Sequence, residues 1–231
     1  PRLRGHPVRA RGAGGRLSVD GAPHRGQDAR DLALFDFDGT ITTRETFPDF
    51  IRHAIPPRRR TLGVALFAPL VVGYRLKLVP VHALRTALVR YAFRGVPMAA
   101  VEAAGASLAA DLLPTLVRPE TQARIDWHRG RGDTVCLVSG GFDVYLAPWC
   151  RAQGLDWICS SLEARDGVLT GRYAGAQCVA EEKARRVRER YDLSGYRAIH
   201  AYGDTHEDHA LLALADHATW RGAPWHRPAP A

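Results

Sequence analysis

The stretch Leu32-Ala-Leu-Phe-Asp-Phe-Asp-Gly-Thr-Ile41 has the pattern of an apolar strand that ends in two aspartates. Because strand side chains alternate between two faces, Asp36 and Asp38 would point to the same side if the strand ran straight on. Two neighbouring carboxylates are costly unless a positive charge lies between them, and a divalent metal with oxygen ligands supplies that charge. A solvated turn would explain two aspartates alone. Asp-x-Asp-Gly-Thr directly after an apolar strand is more specific and favours a site.

The positive charge of the chain is concentrated at its beginning. The 231 residues carry a formal net charge of +8, and residues 1–30 contribute +5 of it, through seven arginines against two aspartates. The remaining +3 on residues 31–231 is an ordinary surface balance, so we expect no nucleic-acid partner. Residues 1–30 are rich in Gly, Pro and Arg and are predicted to be a disordered basic tail. The Pro-rich residues 223–231 are predicted to form a flexible tail.

The cysteines indicate a reducing environment. None of the four lies in a Cys-x-x-Cys pair, and Cys136 falls inside an apolar run. We therefore expect reduced thiols and a cytoplasmic location. The start of the chain has arginines but no apolar core of the kind that a secretory signal needs. The longest apolar stretch, Leu62 to Tyr74, is too short to span a bilayer.

The rest of the chain shows two different patterns. Residues 48–115 are almost wholly helical in pattern and are predicted to be an inserted helical cap, with helices over residues 58–72, 81–93 and 98–113. Residues 31–47 and 116–222 alternate strands with helices, and their strands are solid apolar runs. Such strands are typical of a parallel sheet covered by helices on both faces. The predicted strands after the insert span residues 134–138, 157–159, 198–202 and 218–220, with a β-hairpin turn at Arg165-Asp-Gly167.

Polar residues follow three of these strands, where the ligand crevice of a parallel sheet lies. Ser139 is followed by two glycines, and a hydroxyl beside bared backbone N–H groups forms an anion cradle. Asp204 and Asp208 are four residues apart and share one face of a turn, as helix caps or as metal ligands. Lys183 is one of only two lysines in the chain, which favours a phosphate-facing role over a solvated surface charge.

In order and spacing these motifs resemble the haloacid dehalogenase (HAD) superfamily, specifically the phosphoserine-phosphatase-like branch, subfamily IB. The resemblance covers roughly residues 31–222 and implies a HAD-like Rossmannoid α/β core with a helical cap inserted after the first motif. Asp36-Phe-Asp38-Gly-Thr40 matches the first motif and Ser139 the second. Lys183 matches the third, and Gly203-Asp204 with Asp208 matches the fourth.

The resemblance also implies roles for these residues. Asp36 would be the nucleophile that forms an aspartyl-phosphate, and Asp38 would be the general acid and base. The implied cofactor is Mg²⁺, held by Asp36, Asp204 and the backbone carbonyl of Asp38, with Asp208 in support.

The phosphoryl oxygens would be held by Ser139, the Gly140 N–H and Lys183.

The substrate is less sharply defined. Glu45 matches a glutamate that contacts the substrate amine in phosphoserine phosphatases, and Arg85 and Arg90 are both candidates for the cap arginine that would hold a carboxylate. Against phosphoserine, Glu207 stands where that motif has asparagine, and the insert is long and apolar. A related branch includes phosphatidylglycerophosphate phosphatases, and Leu62–Val72 could contact acyl chains or a membrane surface. We expect it instead to pack on neighbouring helices.

Three functional hypotheses follow. The leading one is a Mg²⁺-dependent phosphomonoester hydrolase whose substrate is a small phosphorylated metabolite such as phosphoserine. The second is the same chemistry on a lipid head group at the membrane surface. The third is a non-catalytic binding module. This hypothesis predicts that residues of the acidic motifs have been replaced, yet all of them are present in the sequence.

Overall fold

The computed structural model describes residues 30–226. The predicted basic tail, apart from Arg30, therefore lies outside the described residues, as do residues 227–231. The strands are β1 (Leu32–Phe35), β2 (Thr134–Phe142), β3 (Asp156–Ser160), β4 (Leu162–Arg165), β5 (Val168–Tyr173), β6 (Ile199–Gly203), β7 (His217–Trp220) and β8 (Ala223–Pro224). The helices are α1 (Phe47–Ala54), α2 (Pro57–Arg75), α3 (Val81–Phe93), α4 (Met98–Asp111), α5 (Leu113–Leu116), α6 (Pro119–Gly130), α7 (Asp143–Gln153), α8 (Glu181–Arg190) and α9 (His209–Leu212).

The main sheet has the order β3-β2-β1-β6-β7-β8, so β1 lies between the two strands that carry the other predicted motifs. Strands β3, β2, β1, β6 and β7 are parallel. This confirms the predicted α/β core. The last strand, β8, is antiparallel to β7. The predicted start of the flexible tail, at residue 223, is therefore too early, because Ala223 and Pro224 extend the sheet.

Strand β1 is buried on both faces, which explains its continuous apolar sequence. Leu32 and Leu34 enter one hydrophobic cluster, with side chains of β6, α8 and α9. Ala33 and Phe35 enter a second cluster on the other face, which includes side chains of the helical segment and α7. All four residues have 1% or less of their surface exposed. A strand in this position has no solvent-facing side, so its sequence is continuously apolar rather than alternating between apolar and polar residues.

The helical segment after β1 contains α1 to α5. Helix α3 has the predicted bounds, because Pro80 precedes it and Gly95 adopts a positive φ just after it. The helix predicted over residues 98–113 instead ends at Asp111, and α5 follows it as a separate turn. Among residues 30–226, no helix combines the length and the apolar character needed to cross a membrane.

Helix α2 departs most from expectation. None of its 19 residues is buried. It contacts α3 through a narrow seam, where Phe67 packs edge-on against Tyr91 and a Cβ on Gly63 would lie 2.8 Å from the Tyr91 ring. Leu62–Val72 therefore packs on one neighbouring helix, as expected, but only through this seam, and the rest of the helix surface is exposed.

The predicted hairpin is present, with Asp166 and Gly167 both at positive φ in its turn, as a tight two-residue β-turn requires. Its strands β4 and β5 form a separate two-stranded sheet. The hairpin is bonded to the helical segment rather than to the main sheet: Gly95 N donates to Leu169 O and Met98 N donates to Gly167 O.

The four cysteines are free and buried. Burial raises the pKa of the Cys136 thiol to about 12 and that of Cys178 to about 11. These side chains behave as small hydrophobic residues rather than as reactive thiols.

Candidate active site

The first motif leaves β1 through a tight turn. Asp36 still pairs with the sheet, since its N–H donates to Tyr202 O of β6 at 2.9 Å. The chain then turns back, and the N–H groups of Ile41 and Thr42 both donate to Phe37 O. Gly39 lies in this turn with a φ of +86°, and a Cβ there would be 2.3 Å from Asp204 Oδ2. Position 39 therefore needs glycine for its backbone angle and for the close approach of the fourth motif.

Lys183 lies between the first and fourth motifs. Its Nζ donates to Asp36 Oδ1 at 2.5 Å and to Asp208 Oδ1 at 2.6 Å, and all three side chains are buried. The first turn of α8 positions this lysine. The structure thus brings together three residues that the sequence analysis placed in one site, with Lys183 in direct contact with carboxylates.

Asp208 uses its two oxygens for different purposes. Oδ1 accepts from Lys183, while Oδ2 accepts from the N–H groups of Asp204 and Thr205 and from the Thr205 hydroxyl. Burial alone would raise the pKa of Asp208, but the charge of Lys183 and these donors outweigh it and hold the pKa below its ordinary value. Asp208 is therefore an ionised anchor for the loop that carries Asp204.

The site has an excess of negative charge. Burial raises the pKa of Asp36, and the neighbouring Asp208 and Asp38 add to this effect against the attraction of Lys183. Burial and the charge of Asp208 also raise the pKa of Asp204. Asp36, Asp204 and Asp208 each offer a carboxylate oxygen, and these atoms lie within 4.8 Å of one another. A group of this kind suits a divalent cation, which prefers oxygen ligands and would offset the repulsion.

Asp38 is held by a residue that the sequence analysis missed. Thr46 donates to Asp38 Oδ1 twice, from its backbone N at 2.7 Å and from Oγ1 at 2.6 Å. Its Oγ1 also lies 3.3 Å from the hydroxyl of Tyr145, which is fully buried on α7. Thr46 precedes α1 at the position of a helix cap, but its side chain does not cap that helix. A threonine before a helix predicts a cap, so sequence alone gave no signal for its contact with Asp38.

The second motif differs from expectation in its backbone. Strand β2 was predicted to end at Val138, but it continues to Phe142, with a shift of its pairing to β3 between Ser139 and Phe142. Ser139 is buried, and its Oγ accepts from Gly141 N at 3.0 Å. The hydroxyl proton of Ser139 is therefore left to donate to another acceptor. A Cβ on Gly140 would lie 2.8 Å from Val179 and 3.2 Å from Arg85 Nη1, so glycine permits a close approach here.

The structure separates the two arginine candidates. Arg85 Nη2 donates to Glu45 Oε2 at 3.2 Å and so joins the group around Asp38. Burial and the nearby charge of Asp38 raise the pKa of Glu45 to about 7, against the attraction of Arg85. Arg90 is exposed and lines a separate depression of about 420 Å³ with Arg94, Arg165 and Arg172. Arg90 is not brought to the site.

Comparison with known proteins places this arrangement in a family. The family model of haloacid dehalogenase-like hydrolases matches residues 33–213. The chain is 32% identical over 201 residues to the protein CicA of Caulobacter vibrioides, an alignment that covers 82% of this chain and 85% of CicA. This chain belongs to the haloacid dehalogenase-like hydrolase family. The resemblance to the haloacid dehalogenase superfamily inferred from its motifs is confirmed.

Solved structures share the fold at low sequence identity. A Bordetella pertussis Tohama I protein of unknown function has a TM-score of 0.69 and 22% identity, covering 83% of this chain and 89% of that one. A substrate-bound phosphoserine phosphatase has a TM-score of 0.56 and 22% identity, covering 84% and 87%. A HAD family hydrolase from Salmonella enterica has a TM-score of 0.57 and 20% identity, covering 81% of this chain and 60% of that one. These matches define the fold.

The buried contacts of Lys183 lead to a stability prediction. We expect Lys183→Met to lower the free energy of unfolding by about 3–5 kcal/mol in buffer without divalent cations, because it leaves buried carboxylates without a partner. Urea unfolding followed by circular dichroism measures this change. Adding Asp36→Asn to Lys183→Met should recover part of the loss, since one uncompensated charge is removed.

The chain offers a matched control in its other lysine. Lys77 is exposed in the turn after α2, and Lys77→Met should change the free energy of unfolding by no more than about 0.5 kcal/mol. A Lys183→Met protein as stable as the wild type would contradict the buried pairing.

Proposed function

We propose that this protein is a Mg²⁺-dependent phosphomonoester hydrolase that works through an aspartyl-phosphate intermediate. The observation that carries the proposal is the position of Asp36 at the end of β1, bonded to Lys183 and two residues from a second carboxyl group. Within residues 30–226, Asp36 Oδ1 accepts from Lys183 while Oδ2 accepts no hydrogen bond. Lys183 therefore orients the carboxylate and leaves one oxygen available as a nucleophile.

Asp36 and Asp38 would divide the chemistry between them. An oxygen of Asp36 attacks phosphorus, the bond from phosphorus to the ester oxygen breaks, and Asp38 donates its proton to the departing alkoxide. Asp38 then takes a proton from the water that attacks the aspartyl-phosphate, which releases phosphate and regenerates Asp36. Burial raises the pKa of Asp38, although the two donations from Thr46 oppose it. A raised pKa suits a carboxyl group that must carry a proton in the first step.

The phosphoryl oxygens would be bound by the Ser139 hydroxyl, the Gly140 N–H and Lys183 as negative charge spreads over them. Asp36, Asp204 and Asp208, with the backbone carbonyl of Asp38, would hold Mg²⁺. When bound, the ion supplies positive charge that reduces the repulsion between a carboxylate nucleophile and a phosphate dianion. The excess negative charge of the group supports this assignment.

For the substrate we propose a small phosphorylated metabolite, with phosphoserine as the leading candidate. Glu45 can accept from an ammonium group, and Arg85 can bind a carboxylate beside the same site. A phosphorylated lipid head group is the second candidate, and the exposure of α2 favours it. We propose the cytoplasm as the location, which the four free cysteines support.

The central test is hydrolysis of p-nitrophenyl phosphate with Mg²⁺. Asp36→Asn should abolish turnover and formation of the phosphoenzyme, because the amide is a poor nucleophile. Asp38→Asn should lower kcat about 10²–10⁴-fold through lost acid–base catalysis. EDTA should stop the reaction and added Mg²⁺ should restore it.

Asp126→Asn, an exposed aspartate on α6, is the control and should keep wild-type activity. Substantial turnover by Asp36→Asn would overturn the mechanism. A wild-type protein inactive with Mg²⁺ would instead favour the non-catalytic binding module.

A second prediction concerns Thr46. Thr46→Val removes the hydroxyl donor to Asp38 and keeps the side-chain shape, so kcat should fall about 10- to 100-fold, the equivalent of one hydrogen bond to a charged group. KM should stay unchanged, because Thr46 positions the acid rather than the substrate. Thr46→Ser retains the hydroxyl and should restore most of kcat. Equal activity of the Val variant and the wild type would refute this role.

A third prediction tests the substrate. Arg85→Gln should lower kcat/KM for phosphoserine at least tenfold more than for p-nitrophenyl phosphate, because only phosphoserine has a carboxylate for the guanidinium. Arg90→Gln, in the separate depression, is the matched control and should affect neither substrate. Equal losses for both substrates in Arg85→Gln would argue against a zwitterionic metabolite. A screen that includes lipid phosphates then distinguishes the second candidate.

A further inference from the structure

Within the described residues, the exposed large hydrophobic side chains are concentrated on α2 and the turn after it. Seven of the nine large hydrophobic side chains exposed in residues 30–226 fall in this short segment, and we call them the α2 surface: Leu62, Val64, Leu66, Val72, Tyr74, Leu76 and Leu78. Leu62, Val64 and Leu78 are 68%, 70% and 77% exposed. Apolar side chains gathered in this way mark an interaction surface, whereas single exposed ones do not.

The packing of α2 covers only a narrow part of the helix. Arg59 donates to the carbonyls of Ala92 and Arg94 at the end of α3, and Phe67 packs on Tyr91. These contacts attach one side of α2 to α3. The side chains of the α2 surface remain exposed on either side of this seam, and within the described residues no element covers them.

The charge around this surface has one sign. Between Asp49 and Glu102 the sequence contains nine arginines and lysines and no aspartate or glutamate. Arg58, Arg59 and Arg60 lie at the beginning of α2, Arg75 is its last residue, and Lys77 lies in the turn after it. The apolar side chains are therefore flanked at both ends by basic ones, with no acidic residue nearby in sequence to neutralise them.

We propose that the α2 surface docks this protein on an anionic lipid bilayer, with α2 lying in the plane of the interface. A helix of 19 residues is about 28 Å long at 1.5 Å per residue, so its two basic ends can reach separate head groups while the apolar side chains enter the acyl boundary. Long arginine and lysine side chains extend to the head groups while their stems remain in apolar surroundings. Interfacial helices bind through this combination of buried apolar area and attraction to anionic lipids.

The charge also argues against a second copy of the chain as the occupant. A symmetric dimer through α2 would bring two basic segments together without acidic partners, and like charges across an interface are unfavourable. An anionic bilayer instead supplies charge of the opposite sign over an extended plane.

Docking would place the site close to the lipid surface. Helix α3 contacts α2 through Tyr91 and carries Arg85, less than two turns earlier, into the group around Glu45. Docking itself requires no hydrolysis, so the inactive Asp36→Asn protein should bind as the wild type does. The proposal therefore stands or falls separately from the proposed activity.

The test is sedimentation of the full-length protein with vesicles of phosphatidylcholine containing 30% phosphatidylglycerol, with pure phosphatidylcholine vesicles for comparison. The wild type should pellet with the anionic vesicles. Leu62→Glu/Leu66→Glu should bind at least tenfold more weakly, because it places two charges in the apolar surface. Arg58→Gln/Arg75→Gln should bind more weakly by about fivefold for each arginine, the equivalent of about 1 kcal/mol per charge.

The matched control is Ala106→Glu/Ala110→Glu, two exposed positions one turn apart on α4. It has the same net charge as the leucine variant and the same residues 1–30, so a loss confined to the leucine variant assigns binding to α2 rather than to the basic tail. The leucine, arginine and control double variants should keep wild-type hydrolysis of p-nitrophenyl phosphate and the same unfolding midpoint. Equal pelleting of the leucine variant and the wild type would overturn the proposal. So would a wild-type dimer in light scattering that becomes monomeric in the leucine variant without vesicle binding, which would assign α2 to a second copy.

Discussion

The contact of Lys183 with two buried carboxylates ties together parts of the chain that are far apart in sequence. Asp36 lies 147 residues before this lysine and Asp208 lies 25 after it. One side chain thus connects the end of β1, the first turn of α8 and the loop after β6. A buried charge without a partner costs several kcal/mol, so these segments are stable in this arrangement only when all three are present.

The position of Lys183 depends in turn on how α8 is attached to the sheet. Arg186, one turn later, donates to the carbonyls of Cys159 at the end of β3 and of Ala176 before the helix. Val187 on the same helix enters the hydrophobic cluster that contains Leu32 and Leu34. Burial of an apolar face and bonds from a neighbouring arginine therefore orient the helix. The orientation of Asp36, the proposed nucleophile, therefore depends on the packing of α8 as well as on strand β1.

Much of the fold could be predicted because a strand buried on both faces is apolar at every position, and this pattern is visible in the sequence. Strand β1 is covered on both faces and is apolar at every position, and the bounds of α3 follow from Pro80 and Gly95. The ordered strand β8 was missed because two residues give no periodicity. The contact of Thr46 with Asp38 was missed because the sequence pattern predicts that Thr46 caps α1. The turn after β1 instead brings its side chain to Asp38. The exposure of α2 was missed because an apolar sequence predicts burial, and it does not say whether the covering surface belongs to the same chain.

The backbone bonds between the hairpin and the helical segment determine which parts of the molecule can move together. Besides the two bonds at Gly95 and Met98, Leu169 N donates to Val96 O at 2.8 Å. If the helices over the site swing away from the sheet, residues 162–173 either travel with them or give up all three bonds. The unit that would move over the site is thus discontinuous in sequence. It consists of the helical segment that follows the first motif and of the β4–β5 hairpin, which the chain forms only after three of the six strands of the main sheet.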